Sequence, residues 1–175
     1  MSISSHLTPE PERRLWSIME AMRRQVEWGE TKLAALILIA AVEGAFVGVT
    51  GPSGAFGRAA LAAFGLTLLV AVFALLPLQR TPKWLPFLEP LGEKHIAADS
   101  LLSSEALSKL TFTEAIQLLD RYLGGGITAT QYHEDLVREA VSFARVAVRK
   151  RRLFQVACVL AVLGQLALLG RVLAP

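Results

Sequence analysis

Cysteine is almost missing from this chain, and its scarcity excludes a disulfide scaffold. The single thiol, Cys158, sits in an apolar run and reads as a small buried hydrophobe. Histidine is equally thin. His6, His95 and His133 are scattered, and no Cys/His pair has ligand spacing, so neither a metal centre nor a cofactor is expected. No Ser-His-Asp or Cys-His arrangement is present, and Gly124-Gly125-Gly126 lacks the Lys-Ser/Thr ending and preceding strand of a phosphate loop. An enzyme is not expected. The first residues, including Ser2, Ser4, Ser5 and His6, have no basic region leading into an apolar core, so they do not read as a secretory signal.

Charge is also in short supply. Only 19% of the 175 residues are charged, against 53% hydrophobic, and the two kinds are segregated rather than mixed. Three stretches are nearly free of charge: residues 33–49 (LAALILIAAVEGAFVGV), 59–78 (AALAAFGLTLLVAVFALLPL) and 153–173 (LFQVACVLAVLGQLALLGRVL). A helix needs about 20 apolar residues to cross roughly 30 Å of hydrocarbon. The second and third stretches reach that length, and the first does so if it continues through Thr31 and Lys32, whose ammonium can snorkel to the headgroups. A chain this small cannot wrap three such helices in a soluble core. The expected fold is therefore all-α, an integral membrane bundle of three transmembrane helices with a cytoplasmic helical region.

The net charge of +3 would by itself fit a nucleic-acid partner, but its distribution fits a bilayer better, and no nucleic acid is expected. Residues 1–32 carry five basic side chains and residues 79–152 eleven; only Arg58 and Arg171 lie elsewhere. In a three-span arrangement those sixteen share one side, which the positive-inside rule makes the cytoplasm. The N-terminus is then cytoplasmic and the C-terminus outside. The expected organisation is a cytoplasmic amphipathic helix in 1–32, a transmembrane hairpin in 33–78, a cytoplasmic helical region in 79–152, and a third span in 153–175 continuous with the helix before it.

Thr50-Gly51-Pro52-Ser53-Gly54 is a turn of helix-breaking residues that folds the first two spans into an antiparallel hairpin. Ahead of it, Thr8-Pro9 reads as a helix start, and Leu15, Ile18, Met19, Met22 and Val26 form an apolar stripe at helical spacing. That helix either lies on the membrane, packs on other cytoplasmic helices, or runs straight into the first span. Trp28 falls where it would meet the interface. Prolines 77, 82, 86 and 90 forbid a continuous helix across 77–90, and a helix is expected in part of 93–108. Thr111-Phe112-Thr113-Glu114 has the form of a capping box opening a helix that ends at Gly124, and Thr128 or Thr130 caps a long helix from about Gln131. Nothing breaks that helix before residue 153, so it enters the membrane as one rod of roughly 60 Å at 1.5 Å per residue.

Two groups of residues invite functional readings. Glu43 is a carboxylate in mid-span, a placement that costs about 2.5–3.5 kcal/mol on insertion scales, so it must face the bundle interior or water. It either lines a pore or pairs with Gln155 or Gln165 of the third span; the plainer alternative is a neutral, hydrogen-bonded packing contact. The basic group Arg145, Arg149, Lys150 and Arg152 suits an anionic ligand or, more plainly, lipid phosphate at the membrane surface.

The layout of a hairpin, a helical insert and a basic helix leading into a last span resembles the transmembrane effector domain of Pycsar antiphage systems, the small partners of bacterial pyrimidine cyclases. The residues carrying the resemblance are Glu30-Thr31-Lys32-Leu33-Ala34-Ala35, Pro77-Leu78-Gln79-Arg80, the 113–123 helix and Phe143-Ala144-Arg145-Val146-Ala147-Val148-Arg149-Lys150-Arg151-Arg152. It covers about residues 20–172. The resemblance implies a protein resting in the inner membrane until a cyclic pyrimidine nucleotide (cCMP or cUMP), made by a partner cyclase, triggers it to impair the membrane and abort phage growth. The matching motifs are topological, so no ligand-binding residue is carried over. Three helices make a thin bundle, and a pore would need several copies, so a homo-oligomer is expected. The competing readings are a membrane-anchored scaffold and a small channel subunit without nucleotide gating.

Overall fold

A computed structural model describes residues 10–52, 54–76, 103–122 and 131–173. Five helices and no strand occur among them: α1 (Glu10–Thr50), α2 (Gly54–Leu75), α3 (Ser104–Lys109), α4 (Phe112–Tyr122) and α5 (Gln131–Leu173). The start at Thr8-Pro9, the prolines of 77–90, a helix in 93–102, the glycines at 124–126 and the caps at 128 and 130 fall outside the described residues. The first amphipathic stretch and the first apolar stretch are one helix of 41 residues. Helix α2 begins five residues before the apolar run at 59, which puts Arg58 in its first turns.

The chain divides into two compact units, Met1–Glu27 with Gln79–Val148, and Trp28–Leu78 with Arg149–Pro175. The first has an ordinary apolar core. Leu15, Ile18, Met19 and Met22 of α1 pack with Leu107, Leu110, Ala115, Leu119 and the Leu136, Val137, Ala140, Val141 and Ala144 stripe of α5. The apolar stripe of α1 is thus spent on protein, and Val26 at its end is half-buried. Ser103 caps α3 by accepting from the Ala106 amide at 3.1 Å. At the start of α4 the Thr111 amide donates to Glu114 Oε2 at 2.9 Å, and the Glu114 amide donates back to Thr111 Oγ1 at 3.3 Å, a reciprocal cap that satisfies two orphan donors.

The second unit is arranged the other way round. Its interior holds Ala40, Val47, Ala60 and Phe64, whereas Leu38, Ile39, Val42, Phe46, Leu69, Val159, Leu163 and Leu166 point outward. An interior made largely of alanine around one buried phenylalanine, with large apolar side chains outside, suits helices solvated by lipid, where close backbone approach replaces the hydrophobic effect. Helices α1, α2 and α5 are each long and apolar enough to cross a membrane. Lys32 to Thr50 and Arg152 to Arg171 each cover roughly 27–29 Å of helix, close to the thickness of the hydrocarbon. Gly51 and Gly54, at φ of 80° and 76°, make the turn between α1 and α2 in a backbone region that side chains resist.

Candidate functional site

Glu43 of α1 and Gln165 of α5 meet in the membrane-length unit: the Gln165 amide, exposed on α5, donates a hydrogen bond to Oε1 of the half-buried Glu43. The other carboxylate oxygen, Oε2, is buried and has no hydrogen-bond partner among the described residues. Phe64 of α2 is fully buried beside this pair. A Cβ on Gly164 would lie 2.8 Å from Phe64 Cε1 and 2.9 Å from Cζ, and a Cβ on Gly44 would lie 3.6 Å from Phe64 Cβ. Thus a glycine adjoins each member of the polar pair, and Phe64 packs at both, with its ring at Gly164 and its Cβ at Gly44. The motif repeats further along α5, where a Cβ on Gly170 would lie only 3.0 Å from Cδ1 and Cε1 of the Phe56 ring.

Three polar contacts fix how α1 and α5 lie together in this unit. Lys150 pairs with Glu30, Gln165 with Glu43, and the Arg171 guanidinium donates to the Thr50 carbonyl at 3.4 Å and its hydroxyl at 3.3 Å. Numbers rise together on both helices, so α1 and α5 run parallel; α2, with Phe56 on Gly170 and Phe64 on Gly164, runs antiparallel to α5. The Arg171 contact places a cation on the C-terminal carbonyl end of α1, where the helix dipole favours it.

Of the residues singled out in the sequence, Glu43 and Gln165 come together and Gln155 does not. Gln155 is exposed and lies ten residues, roughly 15 Å, from Gln165 along α5. The basic group is likewise divided by its partners. In the first unit, Arg145 donates through Nη2 to the Leu110 carbonyl at 2.8 Å and through Nε to the Ser108 carbonyl at 3.3 Å, closing the C-terminal end of α3. Its guanidinium also lies 4.9 Å from the centre of the Phe112 ring, and Arg138, two turns earlier on α5, approaches the same ring at 5.9 Å. In the second unit, the Lys150 ammonium is buried and joined to Glu30. Arg149 is buried with 6% of its surface exposed, and the burial pushes its guanidinium below the ordinary arginine range. Among the described residues it has no hydrogen bond or ion pair. Arg152 is half-buried. Any anion reaching Arg145 or Lys150 has to compete with protein groups already in place.

Sequence reasoning missed Phe64, Phe112, Arg138 and the partner roles of Glu30 and Thr50. Glycine at 164, immediately before the polar residue 165 in an apolar run, was the available signal for close helix approach.

Three apolar spans, a polar pair held between two of them and a helical unit carried on the same chain define an α-helical membrane protein. The chain belongs to the Pycsar effectors: the family model described as the Pycsar effector protein domain matches residues 14–174. That membership makes it an antiphage membrane effector, in a family not known for enzymes. The chain matches no curated protein and no solved structure.

Proposed function

We propose that the protein waits in the bacterial inner membrane as a non-catalytic effector and that a cyclic pyrimidine nucleotide, cCMP or cUMP from a partner cyclase, triggers it to impair that membrane and abort infection. The observation carrying this reading is the polar Glu43–Gln165 pair in the middle of three lipid-compatible helices, in a chain of the Pycsar effector family. Such a pair is costly in hydrocarbon, and intramembrane polar groups commonly mark ion or water paths. Several copies, each contributing Glu43 and Gln165, with Gln155 nearer the start of the third span, would furnish the polar lining of such a path.

The remaining organisation follows the basic residues. Residues 1–32 and 79–152 lie in the cytoplasm, 33–78 form the hairpin, and 153–175 form the third span continuous with the cytoplasmic part of α5. The trigger acts on the cytoplasmic side, where Arg145, Arg149, Lys150 and Arg152 supply positive charge for an anion or for lipid phosphate. A ligand moves such an equilibrium only by binding one arrangement better than the other. Displacing Arg145 from the α3 carbonyls, for instance, would free the corner that it closes.

Dye efflux from vesicles containing the purified chain tests the reading. Efflux that begins on adding cCMP or cUMP supports it. Efflux without nucleotide would instead make the protein a constitutive channel subunit, and none under either condition would make it a scaffold.

A further inference from the structure

The carboxylate of Glu43 is only half satisfied. Oε1 receives the Gln165 amide, but Oε2 is closed off without a donor among the described residues. A buried acceptor left without a partner raises the free energy of the conformation that holds it. The hydrogen bond to Gln165 is thus the one polar contact of Glu43 among the described residues, and the packing beside it fixes where the two side chains stand. The Phe64 ring lies against Gly164, immediately before Gln165, and Phe64 Cβ lies against Gly44, immediately after Glu43. The wedge thus sets the backbone positions from which both polar side chains depart.

We propose that the Glu43–Gln165 hydrogen bond is a latch that keeps α5 on the α1–α2 hairpin in a closed arrangement, and that parting of α5 from α1 here is the step by which the protein acts on the membrane. This rests on the effector reading above. While the latch is closed, Glu43 turns to a residue of its own chain and its second oxygen meets no water. Once parted, carboxylate and amide each require water or a polar group of another copy, because hydrocarbon supplies neither donor nor acceptor. One interhelical hydrogen bond in a membrane shifts a two-state balance by roughly three- to tenfold. That is sufficient to set a resting threshold and small enough for a ligand to overcome.

The test uses the full chain with Cys158→Ala, in vesicles of phosphatidylethanolamine and phosphatidylglycerol, with cCMP and cUMP as probes. In Glu43→Cys/Gln165→Cys, oxidation to a cross-link should cut probe-stimulated dye efflux about tenfold relative to the same protein after reduction. Cross-linked protein that leaks as fast as reduced protein overturns the latch. Gln165→Leu should raise nucleotide-free efflux roughly three- to tenfold. Parental efflux from Gln165→Leu also counts against it. If no form leaks, the effector reading fails and the latch is judged by distance. Spin labels on the outward-facing positions Val42→Cys and Leu166→Cys should then report a wider α1–α5 separation in Gln165→Leu, and an unchanged distribution refutes the latch.

Discussion

Phe64 on α2 occupies the space that any side chain at Gly164 on α5 would need, with its ring edge 2.8 Å from where that Cβ would stand. The ring is fully buried and cannot swing away freely. Gly164→Ala should destabilise the membrane-length unit by about 1–3 kcal/mol through overpacking, and Phe64→Leu in the same chain should restore part of the loss. Gly48→Ala, where a Cβ would meet nothing within 4 Å, serves as the neutral comparison. Thermal denaturation in detergent reads all three; equal midpoints for Gly164→Ala and Gly48→Ala would contradict the wedge.

Arg145 performs three tasks at one corner: two carbonyl hydrogen bonds and a contact with the Phe112 ring. Arg145→Ala should cost about 1–3 kcal/mol, since two acceptors lose a charged donor. Arg145→Lys should recover only part, because an ammonium cannot reproduce the fork or lie flat on the ring. Hydrogen exchange would accelerate in residues 103–122 and much less in α5.

The Lys150 ammonium is buried, while the Glu30 carboxylate is half exposed. Removing Glu30 leaves a buried cation without its counterion, whereas Lys150→Met removes the charge altogether. Glu30→Ala should therefore destabilise by about 1–3 kcal/mol, less than a fully buried pair because solvent still reaches the carboxylate, and Lys150→Met should cancel most of that loss. Additive losses in the double variant would show that the pair is not coupled.

Orientation can be read directly in the Cys158→Ala chain. A membrane-impermeant maleimide applied to intact cells should label Pro52→Cys in the exposed α1–α2 turn and spare Arg24→Cys until the membrane is opened. Labelling of Arg24→Cys from outside would invert the proposed topology.

The three spans were legible in the sequence because lipid demands runs without charge, and a run needs no knowledge of its neighbours. The Thr111–Glu114 cap was legible for a similar reason, since its partners are three residues apart. Partners far apart in the chain were not. Whether Glu43 meets Gln155 or Gln165 depends on the axial register of α5 against α1, which Phe64, Gly44 and Gly164 decide jointly. The acceptors that Arg145 meets, the backbone carbonyls of Ser108 and Leu110, are invisible in any pattern of side chains. Likewise, α1 could be read as two helices or one; no residue between 27 and 33 forbids either, and continuity emerges from the fold.

The spacing of the α1–α5 contacts restricts how these helices can travel. Glu30, Glu43 and Thr50 are 13 and 7 residues apart, whereas Lys150, Gln165 and Arg171 are 15 and 6 apart. A slide of α5 by one turn, about 5.4 Å, would break all three contacts; Lys150 could then meet Glu27, but Gln165 would face only apolar side chains of α1, around Ile39 and Ala40 or around Phe46 and Val47. Ratcheting is thereby excluded as a low-cost motion, and α5 is left to swing or roll about its own axis.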